Sequence, residues 1–406
     1  MIRDGEFKLV KVLFLMISFP DINKDSNLHS DLAEEFGNKG HQVYVATLLE
    51  KKHHQNTFLE KVKNLSILRV RAGNWFNTNS LLVKGITTLT IANYFKKAVA
   101  KYFNQIKFDL VIYPTPPITF APVVKYLKQR DKCTSYLILR DIFPQNVRDL
   151  GLLNNQILFN YFRLKEKQLY NISDYIGCMS KGNVQYVLDH NKVDENKLEV
   201  LYNWGKVFYN SEVIAVDYKK KYGLENKFVA VFGGNIGLPQ ELEFLLELAK
   251  EYKYRSDIVF FIIGKGAQKE KIVNLIDYHK LSNVIIKHYI PRDEYRNLLK
   301  QCDIGLLNLN RTFTIPNMPC KIVDYFNASI PILASTDKNT DLKQFLQDAK
   351  AGLWSETGDL EAYKGNFEKL LNDKKLREEL GKNGRKFLEE NLKVEKAYQI
   401  IIKHFD

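Results

Sequence analysis

Short unbroken apolar runs alternate with longer amphipathic stretches along this chain. Residues 12–18 (VLFLMIS), 43–47, 66–71, 108–113 (FDLVIY), 136–140, 174–180 (DYIGCMS) and 198–201 read as strands. So do 228–232, 258–263, 283–289, 304–309 and the run that ends at Ser335. The run at 12–18 is continuously apolar rather than alternating, as expected of a parallel strand covered on both faces. Helical periodicity fills 27–38, 156–170, 181–190, 241–252, 293–302 and 394–405. Strand–helix–strand repetition of this kind specifies an α/β architecture built from βαβ units. A polar connection at 207–223 interrupts the alternation, which restarts at Phe228. The expected organisation is one domain over 1–205, a second over 206–390, and a terminal helix over 391–406 that crosses back to the first.

Candidate chemistry lies where strands end. Residues 317–335, NMPCKIVDYFNASIPILAS, put Pro319 in the first turn of a helix, where its missing N–H costs nothing. Lys321 and Asp324, three apart, then share one face near the amino end. Free backbone N–H groups at such an end attract phosphate, Lys321 adds a point charge, and Asp324 can accept from two vicinal hydroxyls. Asn317 and Met318 belong to the same approach. The bland alternative is an ordinary amphipathic helix whose Lys and Asp are merely solvated, and spacing leaves both open. The strand at 136–140 delivers Asp141 to its carboxyl edge beside Pro114-Thr115-Pro116-Pro117, where open α/β sheets place ligands; capping of the following helix is the structural alternative. Gly233-Gly234-Asn235 and Gly264-Lys265-Gly266 follow two further strands. A dinucleotide fingerprint needs a third glycine where Lys269 sits, which disfavours a nicotinamide dehydrogenase.

Charge changes this picture modestly. Lys and Arg total 60 against 47 Asp and Glu, a net +13 that favours an anionic partner. No nucleic-acid motif accompanies it. The segment 81–103 carries Lys84, Lys96, Lys97 and Lys101 among Leu, Ile, Tyr and Phe. Such a face suits an anionic bilayer, or belongs to a core-packing helix with a solvated edge. Cys133, Cys178, Cys302 and Cys320 lack metal-ligand spacing and fit reduced thiols. No apolar stretch reaches the roughly 18 residues of a spanning helix, and no cleavage site follows the apolar run at 11–19. A cytoplasmic protein is expected.

Several of these segments resemble the large family of retaining glycosyltransferases known as family 4. They are Pro-x-Lys-x-x-acid-Tyr at 319–325, the x-Pro-Ile-Leu-Ala-Ser strand, Cys302-Asp303-Ile304-Gly305-Leu306, Lys39-Gly40-His41-Gln42-Val43, Tyr202-Asn203-Trp204 and LREELGKNGR at 376–385. Arg140-Asp141-Ile142-Phe143-Pro144 is similar to an element of its WbuB-type branch, which serves O-antigen and capsule synthesis. The resemblance implies the GT-B fold: two doubly wound Rossmann-like domains facing a cleft, the first on the acceptor side and the second binding a nucleotide sugar. It implies transfer of a hexosyl or N-acetylhexosaminyl group, with retention, from a nucleotide diphosphate such as UDP to a polyprenyl-diphosphate-linked saccharide. The resemblance also implies a peripheral place on the inner face of the membrane. No metal or cofactor is implied. Lys321 would act on the leaving diphosphate and Asp141 on the sugar or acceptor hydroxyl. Gly234, Asn235, Gly264, Lys265, Asn317, Met318, Pro319 and Asp324 would line the donor site. The chain departs from the family where Asn235 and Gln240 replace an Arg–Lys clamp and Pro316 replaces a glutamate. A catalytically silent GT-B accessory subunit and a nonhydrolysing sugar-nucleotide epimerase are the alternatives.

Overall fold

The structure, a computed structural model, describes residues 8–76, 81–209 and 216–405; the side chains of 81–84, Lys84 included, lie outside the described residues. Two compact units result. One runs to Tyr202 and takes back the chain from Val394; the other spans Asn203–Lys393.

The first unit is built on an eight-stranded sheet. Its strands are β1 Lys11–Met16, β2 Gln42–Glu50, β3 Phe58–Val62, β4 Leu65–Ala72, β5 Leu110–Pro114, β6 Thr134–Leu139, β7 Tyr175–Cys178 and β8 Leu198–Val200, ordered β3-β4-β2-β1-β5-β6-β7-β8. All neighbours pair in parallel except β3 and β4. From Val12 to Met16 every residue of β1 is buried, which explains its continuous apolar composition. The order reverses between β1 and β5, and the carboxyl ends of these strands therefore border a crevice. Strand β3 is not legible beforehand. Its hairpin turns through Lys63 at φ +51 with no glycine to signal it.

The helix Val394–Ile402 belongs to this unit and packs on the helix Leu28–Asn38. Tyr398 stands edge-on to Phe36, with ring centroids 4.9 Å apart. The Val10 N–H donates to His41 Nδ1 at 3.2 Å. The ring hydrogen therefore sits on Nε2, 2.8 Å from the Tyr398 oxygen, to which it donates. His41 thus has a structural task.

The 81–103 segment is one helix, Leu81–Tyr102. Ile91, Phe95 and Val99 enter the core, whereas Lys96, Lys97 and Lys101 are exposed.

The second unit has a six-stranded parallel sheet of β9 Phe228–Asn235, β10 Ile258–Lys265, β11 Val284–Lys287, β12 Ile304–Asn308, β13 Ile332–Thr336 and β14 Gly352–Glu356, ordered β11-β10-β9-β12-β13-β14. Its order reverses between β9 and β12. The second ligand-binding edge is therefore expected beyond Asn235 and Asn308.

Candidate functional site

In the second unit, Lys321 opens the helix Lys321–Asn327, which is under two turns long. So short a helix contributes little dipole, and the electrostatics rest on the side chain. Lys321 Nζ lies 3.6 Å from the centroid of the Phe232 ring, on β9. It also lies beside Gly234, where an added Cβ would come within 3.8 Å of it. Gly234 itself has φ +130, which suits glycine. The lysine side chain is half-buried overall, but Nζ is fully buried and has no hydrogen-bond partner. Burial pushes its ammonium down from 10.5 to about 7. A buried cation without a partner is costly unless something anionic arrives. The solvated-lysine reading does not hold.

The segment leading into this helix is held by its own polar groups. Asn203 Nδ2 donates to the Met318 carbonyl at 2.5 Å, and Thr340 Oγ1 donates to the Asn317 carbonyl at 2.6 Å. Asn339 Nδ2 donates to the Phe313 carbonyl at 2.6 Å. Asn310 and Arg311 fasten its upstream end, Arg311 through Nε to Glu241 at 2.6 Å. With those carbonyls occupied, Asn317 Nδ2 is left as a second buried donor without a partner. Pro319 and the exposed Cys320 join Met318 to Lys321. Asp324 is half-buried; burial raises the pKa of the neighbouring Tyr325 and Tyr295 phenols, and the Asp324 charge adds to it.

Asn235 is exposed and bonds Gln240 at 3.4 Å, while Gln240 Oε1 accepts from the Gly237 N–H at 3.2 Å. This pair closes the turn on itself. A Cβ at Gly264 would lie 1.9 Å from the Gly234 carbonyl oxygen, so that glycine serves close packing of β9 and β10. Lys265 is exposed, its Nζ 5.7 Å from the Tyr289 ring centroid.

In the first unit, Thr115 Oγ1 accepts from the Arg140 N–H at 2.9 Å and from the Asp141 N–H at 3.2 Å. This ties the ends of β5 and β6 together. Asp141 does not cap the following helix, Gln145–Asp149, whose N-cap is Pro144 with no side-chain bond. Burial pushes the Asp141 carboxyl up, with the Arg140 guanidinium opposing. Arg140 carries a buried terminal nitrogen without a partner. Burial of His29, with the Arg140 charge adding to it, pushes that imidazole down to about 3, so the histidine is neutral. His29 went unnoticed in the sequence, where it is simply the second residue of a helix capped by Asn27. Only its position after β1 hinted at the sheet edge it shares with Asp141.

Among the described residues, no three His, Cys, Asp or Glu side chains come together as a metal-ligand set.

Solved GT-B glycosyltransferases share this fold over nearly the whole chain. HepE from Anabaena, solved with UDP and glucose, gives a TM-score of 0.70 at 13% identity and covers 97% of this chain and 99% of its own. Residues 216–387, which fall within the second unit, match the family Glycosyl transferases group 1. "Probable glycosyltransferase WbjE" of Pseudomonas aeruginosa is 22% identical over 286 residues, 68% of this chain and 69% of that protein. The chitobiosyldiphosphodolichol beta-mannosyltransferase of Kluyveromyces lactis is 24% identical over 256 residues, 55% of this chain and 56% of that enzyme.

Proposed function

We propose that this chain transfers a hexosyl or N-acetylhexosaminyl group, with retention, from a UDP-sugar to a lipid-linked saccharide in surface polysaccharide synthesis. The observation that carries the reading is Lys321 Nζ, buried without a partner beside Gly234 at the carboxyl edge of β9. An incoming β-phosphate supplies the missing anion. As the glycosidic bond breaks, negative charge grows on that phosphate, and fixed donors stabilise it most at that moment. Lys321 and Asn317 Nδ2 are these donors, and Asp324 accepts from the ribose hydroxyls. Asp141 orients the acceptor hydroxyl and draws on its proton. UDP in the HepE structure and the lipid diphosphate in the name of the yeast relative support the choice of donor and acceptor classes. The direct test measures UDP release from a panel of UDP-sugars. Release from none of them would leave a non-catalytic protein.

Charge neutralisation by Lys321 makes the reaction independent of divalent metal in this proposal. Turnover in excess EDTA is expected to match the untreated enzyme within about two-fold. Complete loss restored by Mn²⁺ or Mg²⁺ would refute the assigned role.

A lipid-linked acceptor requires approach to a membrane, and among the described residues no helix is long and apolar enough to cross one. The helices Leu81–Tyr102, Ala121–Asp131 and Gln156–Ile172 pack side by side on one face of the first sheet. Their carboxylates are few: Asp131 and Glu166 are buried, and Leu81–Tyr102 contains none. Exposed Ile86, Leu89, Ile157 and Leu164 stand among Lys96, Lys97, Lys101 and Lys167. Each lysine near anionic lipid contributes about 1 kcal/mol, screened by salt. Sedimentation with anionic liposomes is expected at low salt, with release at high salt. Replacing Lys84, Lys96, Lys97 and Lys101 with Glu should abolish it and spare donor hydrolysis. Equal binding to neutral liposomes counts against the surface.

A further inference from the structure

The first unit contains a cavity of about 490 Å³ that the donor chemistry does not use. It is enclosed by the loop after β1, the end of β2 and the hairpin β3–β4. Its size falls in the range of small-molecule sites.

The lining selects the chemistry of its occupant. Asp21, Glu50 and Glu60 supply three carboxylates, which accept hydrogen bonds and do not donate them. The lining's one guanidinium is already committed: Arg69 donates through Nε to Glu60 at 2.7 Å and through a terminal nitrogen to the Phe19 carbonyl at 2.7 Å. Among the described residues the lysines beside the other carboxylates are paired as well: Lys24 Nζ lies 3.4 Å from Asp21 and Lys52 Nζ 2.6 Å from Glu50, with His53 Nε2 3.9 Å from the same glutamate, so none is left free to hold a phosphate or a carboxylate. Glu50 accepts from the N–H groups of Trp75 and Phe76 at 2.8 Å each, which anchors the chain at Phe76. Phe76 and Phe58 also line the cavity, and they are 38% and 36% exposed, unusual for phenylalanine. Carboxylates beside open aromatic rings suit a molecule that is rich in hydroxyl donors, neutral, and apolar on one face. A sugar ring has these properties.

Distance gives the cavity its place. The carboxyl ends of β2 and β6 lie on one sheet edge, separated by β1 and β5. Three strand spacings amount to about 14 Å. A single sugar seated among Glu50, Phe58 and Phe76, beyond the β1 side of the cavity, cannot also touch Asp141, after β6.

We propose that the cavity is a subsite for a neutral, hydroxyl-rich sugar unit of an oligosaccharide acceptor, remote from the hydroxyl that reacts. The proposal rests on the glycosyl-transfer reading, and it adds that the acceptor holds more than one sugar and is uncharged at this unit.

The test uses the intact chain. Saturation-transfer NMR is measured with methyl glucoside, methyl N-acetylglucosaminide and methyl fucoside as neutral probes, methyl glucuronide as an anion and butylamine as a cation. UDP binding is followed separately by calorimetry. A neutral glycoside should receive saturation, and the glucuronide at least about five-fold less. Phe58→Ala and Phe76→Ala should each cut the neutral signal about five-fold with UDP affinity unchanged. Both rings are exposed, so neither change opens the core. Asn23→Leu, also at an exposed lining position, offers an independent route to the same loss. Three results would overturn the subsite: no signal from any neutral glycoside, a stronger signal from glucuronide or butylamine, or a signal undiminished in all three variants. UDP binding by the parent chain leaves the transferase reading standing in those cases, and its absence counts against that reading alone.

Discussion

Lys321→Met is expected to lower kcat by about two to three orders of magnitude while making the ligand-free protein more stable. The two effects share one cause. Nζ is buried above the Phe232 ring without a partner, and burial brings its pKa from 10.5 to about 7. At about 1.36 kcal/mol per pH unit, charging it in the folded state costs on the order of 5 kcal/mol. The sign follows from proton counting. Between about pH 7 and 10.5 the unfolded chain binds the proton that the folded chain lacks, so this lysine makes stability rise with pH across that window. Below about pH 7 both states hold the proton and the cost is constant. Met fills similar space without charge, so the variant should melt several degrees higher at pH 7 and lose this part of the slope. Turnover falls because nothing replaces the ammonium at the departing diphosphate. Asp324→Ala should instead act mainly on KM, by about 1–3 kcal/mol. Melting curves and steady-state kinetics check both. A Met variant that is less stable and fully active would remove Lys321 from the site.

Asp141→Asn is expected to reduce kcat/KM for the acceptor by about 10²–10⁴-fold and to leave UDP binding unchanged. Asn keeps the shape and cannot take a proton. The pH profile adds an independent readout. The working form is the carboxylate, and burial holds the Asp141 carboxyl above the usual range. Activity should therefore decline, as pH falls, earlier than for an ordinary aspartate, and this acid limb should vanish in the variant. His29, pushed down to about 3, remains neutral through that range and does not produce the limb. An unchanged profile and rate would remove the Asp141 carboxylate from the reaction.

The fold was largely legible because fully buried parallel strands announce themselves as unbroken apolar runs, as β1 and β10 do. β3 was not, since an edge strand with little burial needs no such run and its turn at Lys63 carries no glycine. At the site, residue type drew attention to Lys321 and Asp141, while partners distant in sequence stayed hidden. Asn203 and Met318 are joined by one hydrogen bond across 115 positions, and Arg311 and Glu241 across 70. Nothing in local pattern encodes such pairs. Whether Lys321 was solvated or buried depended on Phe232, on another strand. The cavity in the first unit draws its lining from β2, β3, β4 and the stretches after β1, β2 and β4, none with a motif.

The central claim is that Lys321 receives the nucleotide diphosphate. Calorimetric titration of UDP at pH 8, repeated in buffers of different ionisation enthalpy, tests it most directly. With a pKa of about 7 the ligand-free lysine is mostly neutral there, and the diphosphate should recharge it. Uptake of close to one proton per UDP bound, roughly 0.9, is expected, and none in Lys321→Met. Equal proton uptake by both proteins, or tight UDP binding by both without any, would contradict it.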